Sequence, residues 1–163
     1  MPSVRRLRES DAGALCALLG GYGLTLEIVA DDADIPHSYW GEGEAGVRRL
    51  TLYARGDTPL HSVLHTAAHV ICMDTARRAN LARDCGGDDA EEEAVCYFQS
   101  LLAAALPGYG ALQLWADMDA WGYHFRLGSA RAWFEHDAGR ARDWLIERGL
   151  LNADGQPRGI LRA

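Results

Sequence analysis

The sequence predicts an α+β fold: a small sheet packed against two long helices, with further helices after them. Three observations carry this. Residues 24–30 and 47–54 alternate between apolar and polar positions, as half-buried strands do. Residues 59–79 carry a helical apolar stripe behind a Pro-containing start. Residues 90–106 repeat that helical pattern behind a cluster of acids.

Taken in order, Ser10-Asp11 caps a first helix that reaches about Leu19, with Leu15, Leu18 and Leu19 facing inward; Gly20-Gly21-Tyr22-Gly23 ends it. Leu24, Leu26 and Ile28 mark the first strand. Residues 31–46 are polar and contain Pro36, Gly41, Gly43 and Gly46, so they read as a solvent-exposed loop carrying His37, Tyr39 and Trp40, the alternative being a lid over a cleft. Residues 47–54 read as one second strand near a sheet edge. Asp57-Thr58-Pro59 starts a helix that runs to about Ala79, with Leu60, Val63, Leu64, Ala67, Val70 and Ile71 as its core stripe. A neighbouring stripe holds His61, His65, His69, Cys72 and Ala76. Cys85-Gly86-Gly87 is a break, Asp88-Asp89 opens the next helix, and Leu106-Pro107-Gly108 stops it. Further helices are expected over 111–127 and, capped by Ser129, over 130–149. Residues 152–163 read as a loose tail on a single domain spanning 1–163.

Composition narrows the function classes. The 163 residues include 16 Lys+Arg against 23 Asp+Glu, a net charge of −7, so the basic stripe of a nucleic-acid binder is not expected. The apolar run 12–19 is too short to cross a bilayer and lacks the features of a secretory signal. The four cysteines (Cys16, Cys72, Cys85, Cys96) form no C-x-x-C pair and read as reduced thiols of a cytoplasmic protein.

His65-Thr66-Ala67-Ala68-His69 is the segment that carries chemistry. Histidines at i and i+4 lie on one helix face, about 6 Å apart along the axis, and can reach one ion. In H-E-x-x-H the second residue is a glutamate that serves as general base. Here it is Thr66, whose hydroxyl is no base near neutral pH. A third ligand has to come from another element. Glu91, Glu92 and Glu93 follow His69 by 22 to 24 residues and open the next helix. Cys72 and His61 are rivals, although His61, His65 and His69 together span about 12 Å of helix, too far for one tetrahedral ion. The same histidines also fit a metal-free, hydrogen-bonded groove, and the acids a solvated helix start.

The order of helix, strands, H-x-x-x-H helix and Glu-bearing helix over residues 10–106 resembles the compact gluzincin (minigluzincin) zinc-peptidase core. It is also similar to the elongation factor P hydroxylase family. Leu64-His65-Thr66-Ala67-Ala68-His69-Val70-Ile71-Cys72-Met73 with Gly86-Gly87-Asp88-Asp89 and Glu91-Glu92 resembles bacterial proteins in which Glu fills the Thr66 position. The resemblance implies a Zn2+ site (Fe2+ is the alternative) held by His65, His69 and one of Glu91 or Glu92, with Glu92 favoured. It implies Tyr123 or His124 as donors to the transition state, and a peptide or protein substrate. Against that stands core packing for Trp121, Tyr123 and Phe125. With Thr66 in place of the base, the expected protein is a metallopeptidase relative of weak or no activity. The alternatives are a metal- or partner-binding protein and a metal-dependent protein-modifying hydroxylase. His136 reads as surface.

Overall fold

The structure, a computed structural model, describes residues 3–163. Among these residues the chain forms seven α-helices and one mixed three-stranded sheet, an α+β architecture. Helix α1 (Ala12–Gly20) is capped by Asp11, whose side chain accepts from the Ala14 N–H, as the sequence predicts. Strand β1 (Thr25–Val29) pairs in parallel with β3 (Thr51–Arg55), and β2 (Gly46–Arg48) pairs antiparallel on the other side of β3, giving the order β1-β3-β2.

The expected single strand over 47–54 is therefore a tight hairpin. Arg48 pairs directly with Thr51, and Arg49 takes a left-handed conformation at φ 53° to make the reversal. No Gly or Asn marks this turn, and the alternation keeps its parity across a two-residue loop, so the sequence pattern runs straight through it. The turn is held from outside: the Arg49 N–H donates to the Leu81 carbonyl (2.9 Å) and Arg48 bridges to Ala82.

Helix α2 (Leu60–Cys72) lies at the centre of the core, between β3 and α4 (Asp89–Ala105). Leu60, Val63, Leu64, Ala67, Ala68, Val70 and Ile71 have no exposed surface. Each of the larger ones contributes about 1.5–3 kcal/mol by leaving water. The helix expected to reach Ala79 stops at Met73. Asp74 then caps a separate short helix α3 (Thr75–Ala79), its side chain accepting from the Arg77 N–H at 2.8 Å. Buried Arg78 folds back and satisfies the carbonyls left at the end of α2, donating to Val70 (2.9 Å) and Met73 (2.6 Å).

Helix α5 (Gly110–Trp121) is shorter than the expected 111–127, because Gly122 at φ 106° makes a left-handed C-terminal stop. The expected helix over 130–149 is two helices, α6 (Ala130–His136) and α7 (Gly139–Glu147), separated at Asp137-Ala138. The end of the chain is not a loose tail. Leu151 bridges to Pro157, and Arg162 is clasped by α2: its N–H donates to the Ile71 carbonyl (3.0 Å) and its guanidinium to the Cys72 carbonyl (3.1 Å). No helix among the described residues is long and apolar enough to cross a membrane.

Candidate metal centre

Helix α2 presents His65 and His69 one turn apart, with ring centroids 4.7 Å apart at 83°. The first turn of α4, capped by the Asp88 side chain on the Glu91 N–H, brings Glu92 against both rings. Each Glu92 oxygen meets one imidazole: Oε1 lies 3.0 Å from His65 Nε2 and Oε2 lies 3.0 Å from His69 Nε2. One ligand atom from each residue lies within 4.8 Å of the other two. Donors about 2 Å from a tetrahedral ion stand roughly 3.3 Å apart, so the group has the size and chemistry to hold one.

The three consecutive glutamates have three separate jobs. Glu92 faces the histidines. Glu91, the other candidate ligand, is buried and gripped by both Arg77 nitrogens (2.8 and 2.9 Å) and by Arg162 (3.3 Å), so its carboxylate is committed to fastening α3 and the C-terminal segment. Glu93 pairs with Arg126. Helical spacing separates the faces but cannot say which one meets histidine and which arginine.

Gln99, two turns beyond Glu92 on the same face of α4, sets the state of His65. Its amide nitrogen donates to the His61 carbonyl (2.9 Å), an acceptor only, so its oxygen must face His65 Nδ1 (3.0 Å). That oxygen requires a proton on Nδ1 and leaves Nε2 to face Glu92. His69 Nδ1, by contrast, is buried with no hydrogen-bond partner.

The charge pattern follows. Burial disfavours the Glu92 carboxylate, but hydrogen bonds and charge from His65 and His69 outweigh it and hold the carboxyl well below its ordinary value. Burial opposes charge on His65 too, yet Tyr123, Cys96 and Glu92 together raise it well above an ordinary histidine; of these, Glu92 is the anion at neutral pH. His69 moves down, through burial first and then through repulsion from His65.

His61 is not in the cluster. It is fully buried, its Nδ1 lies 3.2 Å from the Tyr123 hydroxyl, and burial pushes it down to about 3, so it is neutral. Cys72 is a buried thiol pushed upward by that burial and is likewise outside the cluster.

The centre sits in a cavity of about 700 Å³. Thr66 lines it beside the histidines. So does Tyr123, which Gly122 turns off the end of α5 and whose ring stands edge-on to His65 at 5.7 Å. Burial pushes its phenol up to about 12. His124 is exposed and does not line the cavity, so of the two residues only Tyr123 stands beside the histidines. Tyr39 and Trp40 form the rim, with Trp40 74% exposed, whereas His37 packs against Tyr53 instead. His136 is exposed.

One acid lining this cavity has no motif to reveal it. Glu44 comes from the loop ahead of β2, is half-buried and lines the same wall as Trp121. Its only sequence signal is its place just before a strand expected at the sheet edge.

Comparison with protein-family models, with curated proteins and with solved structures finds no match to this chain.

Proposed function

We propose that the chain is a zinc-binding, gluzincin-like metalloprotein related to the metallohydrolases, with His65, His69 and Glu92 as its ligands. The observation that supports this best is the convergence of both imidazole Nε2 atoms on one carboxylate that lines a cavity of about 700 Å³. A zinc ion there would polarise a carbonyl and make a water acidic enough to attack it. The same two-histidine, one-carboxylate set suits Fe2+, the metal a hydroxylase would use. In this reading Gln99 orients His65, Tyr123 stands over the centre as a hydrogen-bond donor, and the aromatic rim takes an extended peptide. Thr66 favours a second reading, because helix α2 itself brings no base: a binding protein that keeps the metal and has lost the chemistry.

Metal analysis of the purified protein by mass spectrometry, beside the His65→Ala, His69→Ala double variant, tests the centre. Near-stoichiometric zinc or iron, lost in the variant, is expected, and its absence after zinc reconstitution would sink the proposal. Thr66→Glu separates the two readings: peptidase activity on a denatured protein substrate should rise for the hydrolase relative and stay at background for a binding protein.

A further inference from the structure

We propose that Glu44 is the water-activating carboxylate of this centre, supplied from the sheet edge in place of the one that helix α2 lacks at Thr66. The inference rests on the metal-centre reading and deepens it. The Ala45 N–H donates to the Ser62 hydroxyl at 2.9 Å in a buried contact, and the Glu44 carbonyl accepts from the Ser38 hydroxyl at 3.0 Å. Ser62 precedes Thr66 by one helical turn and lies on the same face of α2, and both line the cavity. The backbone at 44–45 is thus docked on the helix face where the missing base would stand.

The side chain has the surroundings of a working base. Glu44 lines the cavity with the three candidate ligands and feels the charge of His65. The Trp121 ring lines the same cavity, and no ion pair holds Glu44 among the described residues. Burial lifts its carboxyl above the ordinary carboxylate value, with His65 and Trp121 pulling part of the way back, which is the direction a general base needs. The other cavity acids differ. Glu92 is spent on the histidines, and Asp84 is exposed on a turn where it accepts from the Gly86 N–H.

The step balances on a peptide amide. Glu44 takes one proton from water while the water oxygen forms a bond to the carbonyl carbon and the carbonyl pair moves onto its own oxygen. When that pair returns, the C–N bond breaks and Glu44 hands the same proton to the departing amine. One water is consumed and nothing is oxidised or reduced.

The test needs no known substrate. Acetohydroxamic acid loses a proton when it binds zinc, and a neighbouring carboxylate can keep that proton. Calorimetry of the zinc-loaded full chain in two buffers of different ionisation enthalpy counts the protons released. Wild type and Glu42→Gln, an exposed residue of the same loop, should release none. Glu44→Gln should release about one and bind the hydroxamate roughly tenfold more weakly, the size of one lost charge-assisted hydrogen bond. Zinc affinity, read by chelator competition, should be equal in all three. Equal proton counts in wild type and Glu44→Gln, or no hydroxamate binding to the zinc-loaded wild type, would overturn the role of Glu44 and leave the metal centre standing. Failure of the wild type to bind zinc would overturn both.

Discussion

Gln99 and His65 are locked in one sense: the amide oxygen meets His65 Nδ1 at 3.0 Å because the amide nitrogen is already given to the His61 carbonyl. An apolar residue at position 99 would remove both hydrogen bonds. His65 would lose its orientation, and the His61 carbonyl would lose its donor. Gln99→Met keeps the volume and removes both hydrogen bonds. It should weaken zinc binding about 10–100-fold, as loss of an outer-shell partner does. It should also destabilise the metal-free protein by about 1–3 kcal/mol, the cost of a buried group left unpaired. Chelator competition and urea unfolding read the two effects separately; unchanged zinc affinity would mean that the amide does not orient the ligand.

Glu91 and Glu92 are neighbours with opposite expected phenotypes. Glu92→Gln removes the carboxylate shared by His65 and His69 and should abolish tight metal binding with a small effect on the metal-free fold. Glu91→Gln should leave metal affinity near wild type. It breaks the grip on Arg77 and Arg162 and should cost about 2 kcal/mol, less than a fully buried pair because both guanidiniums are partly exposed. Metal content and urea midpoints of the two variants check this; a metal-deficient, fully stable Glu91→Gln protein would reverse the assignment.

The sequence was most legible where one local rule governs. The caps at Asp11, Asp88 and Ser129, the apolar stripe of α2 and the His65–His69 pair all follow from spacing and side-chain chemistry within a few residues. It was least legible where a distant group decides. The Arg49 turn is held by Leu81. The break after α2 depends on Asp74 and on Arg78 reaching back to Val70 and Met73. Residues 152–163 look like a tail until Arg162 is seen to meet Glu91 and the end of α2. In the site the pattern is the same. The i, i+4 histidines were visible, the choice among three glutamates depended on which helix face each arginine takes, and Glu44 was hidden in a loop that only the tertiary fold lays against α2.

Gly46 is where that loop meets the sheet. A Cβ there would overlap the Pro36 carbonyl oxygen and come within 2.7 Å of the His37 and Ser38 backbones. Backbone cannot swing aside as a side chain end can, so Gly46→Ala must push residues 36–38 away. The expected cost is about 1–3 kcal/mol, as for overpacking elsewhere. Because Ser38 holds the Glu44 carbonyl, the displaced loop should also become easier to cut. Limited proteolysis with fragment mapping should show faster cleavage within 36–45 at a temperature where the rest of the protein stays folded. Equal cleavage rates would mean that the loop is held by other contacts.

His61 gives the metal-free protein a pH dependence whose sign can be worked out. Burial keeps it neutral in the folded state down to about 3, whereas in the unfolded chain it takes a proton near the ordinary 6.5. Between these values the unfolded state binds more protons, so stability rises with pH. The contribution is fully present above pH 6.5, falls as the pH drops and is gone below about 3. His65 acts in the opposite direction and elsewhere: its raised value gives stability that is present below 6.5 and lost as the pH climbs through its folded value. His61→Gln can still bond the Tyr123 hydroxyl but cannot titrate. Urea unfolding of the metal-free proteins between pH 4 and 6 should therefore show a steeper rise for wild type than for His61→Gln, by up to about 1.4 kcal/mol per pH unit, the limit for one proton. Parallel pH profiles would mean that His61 is protonated in the folded protein.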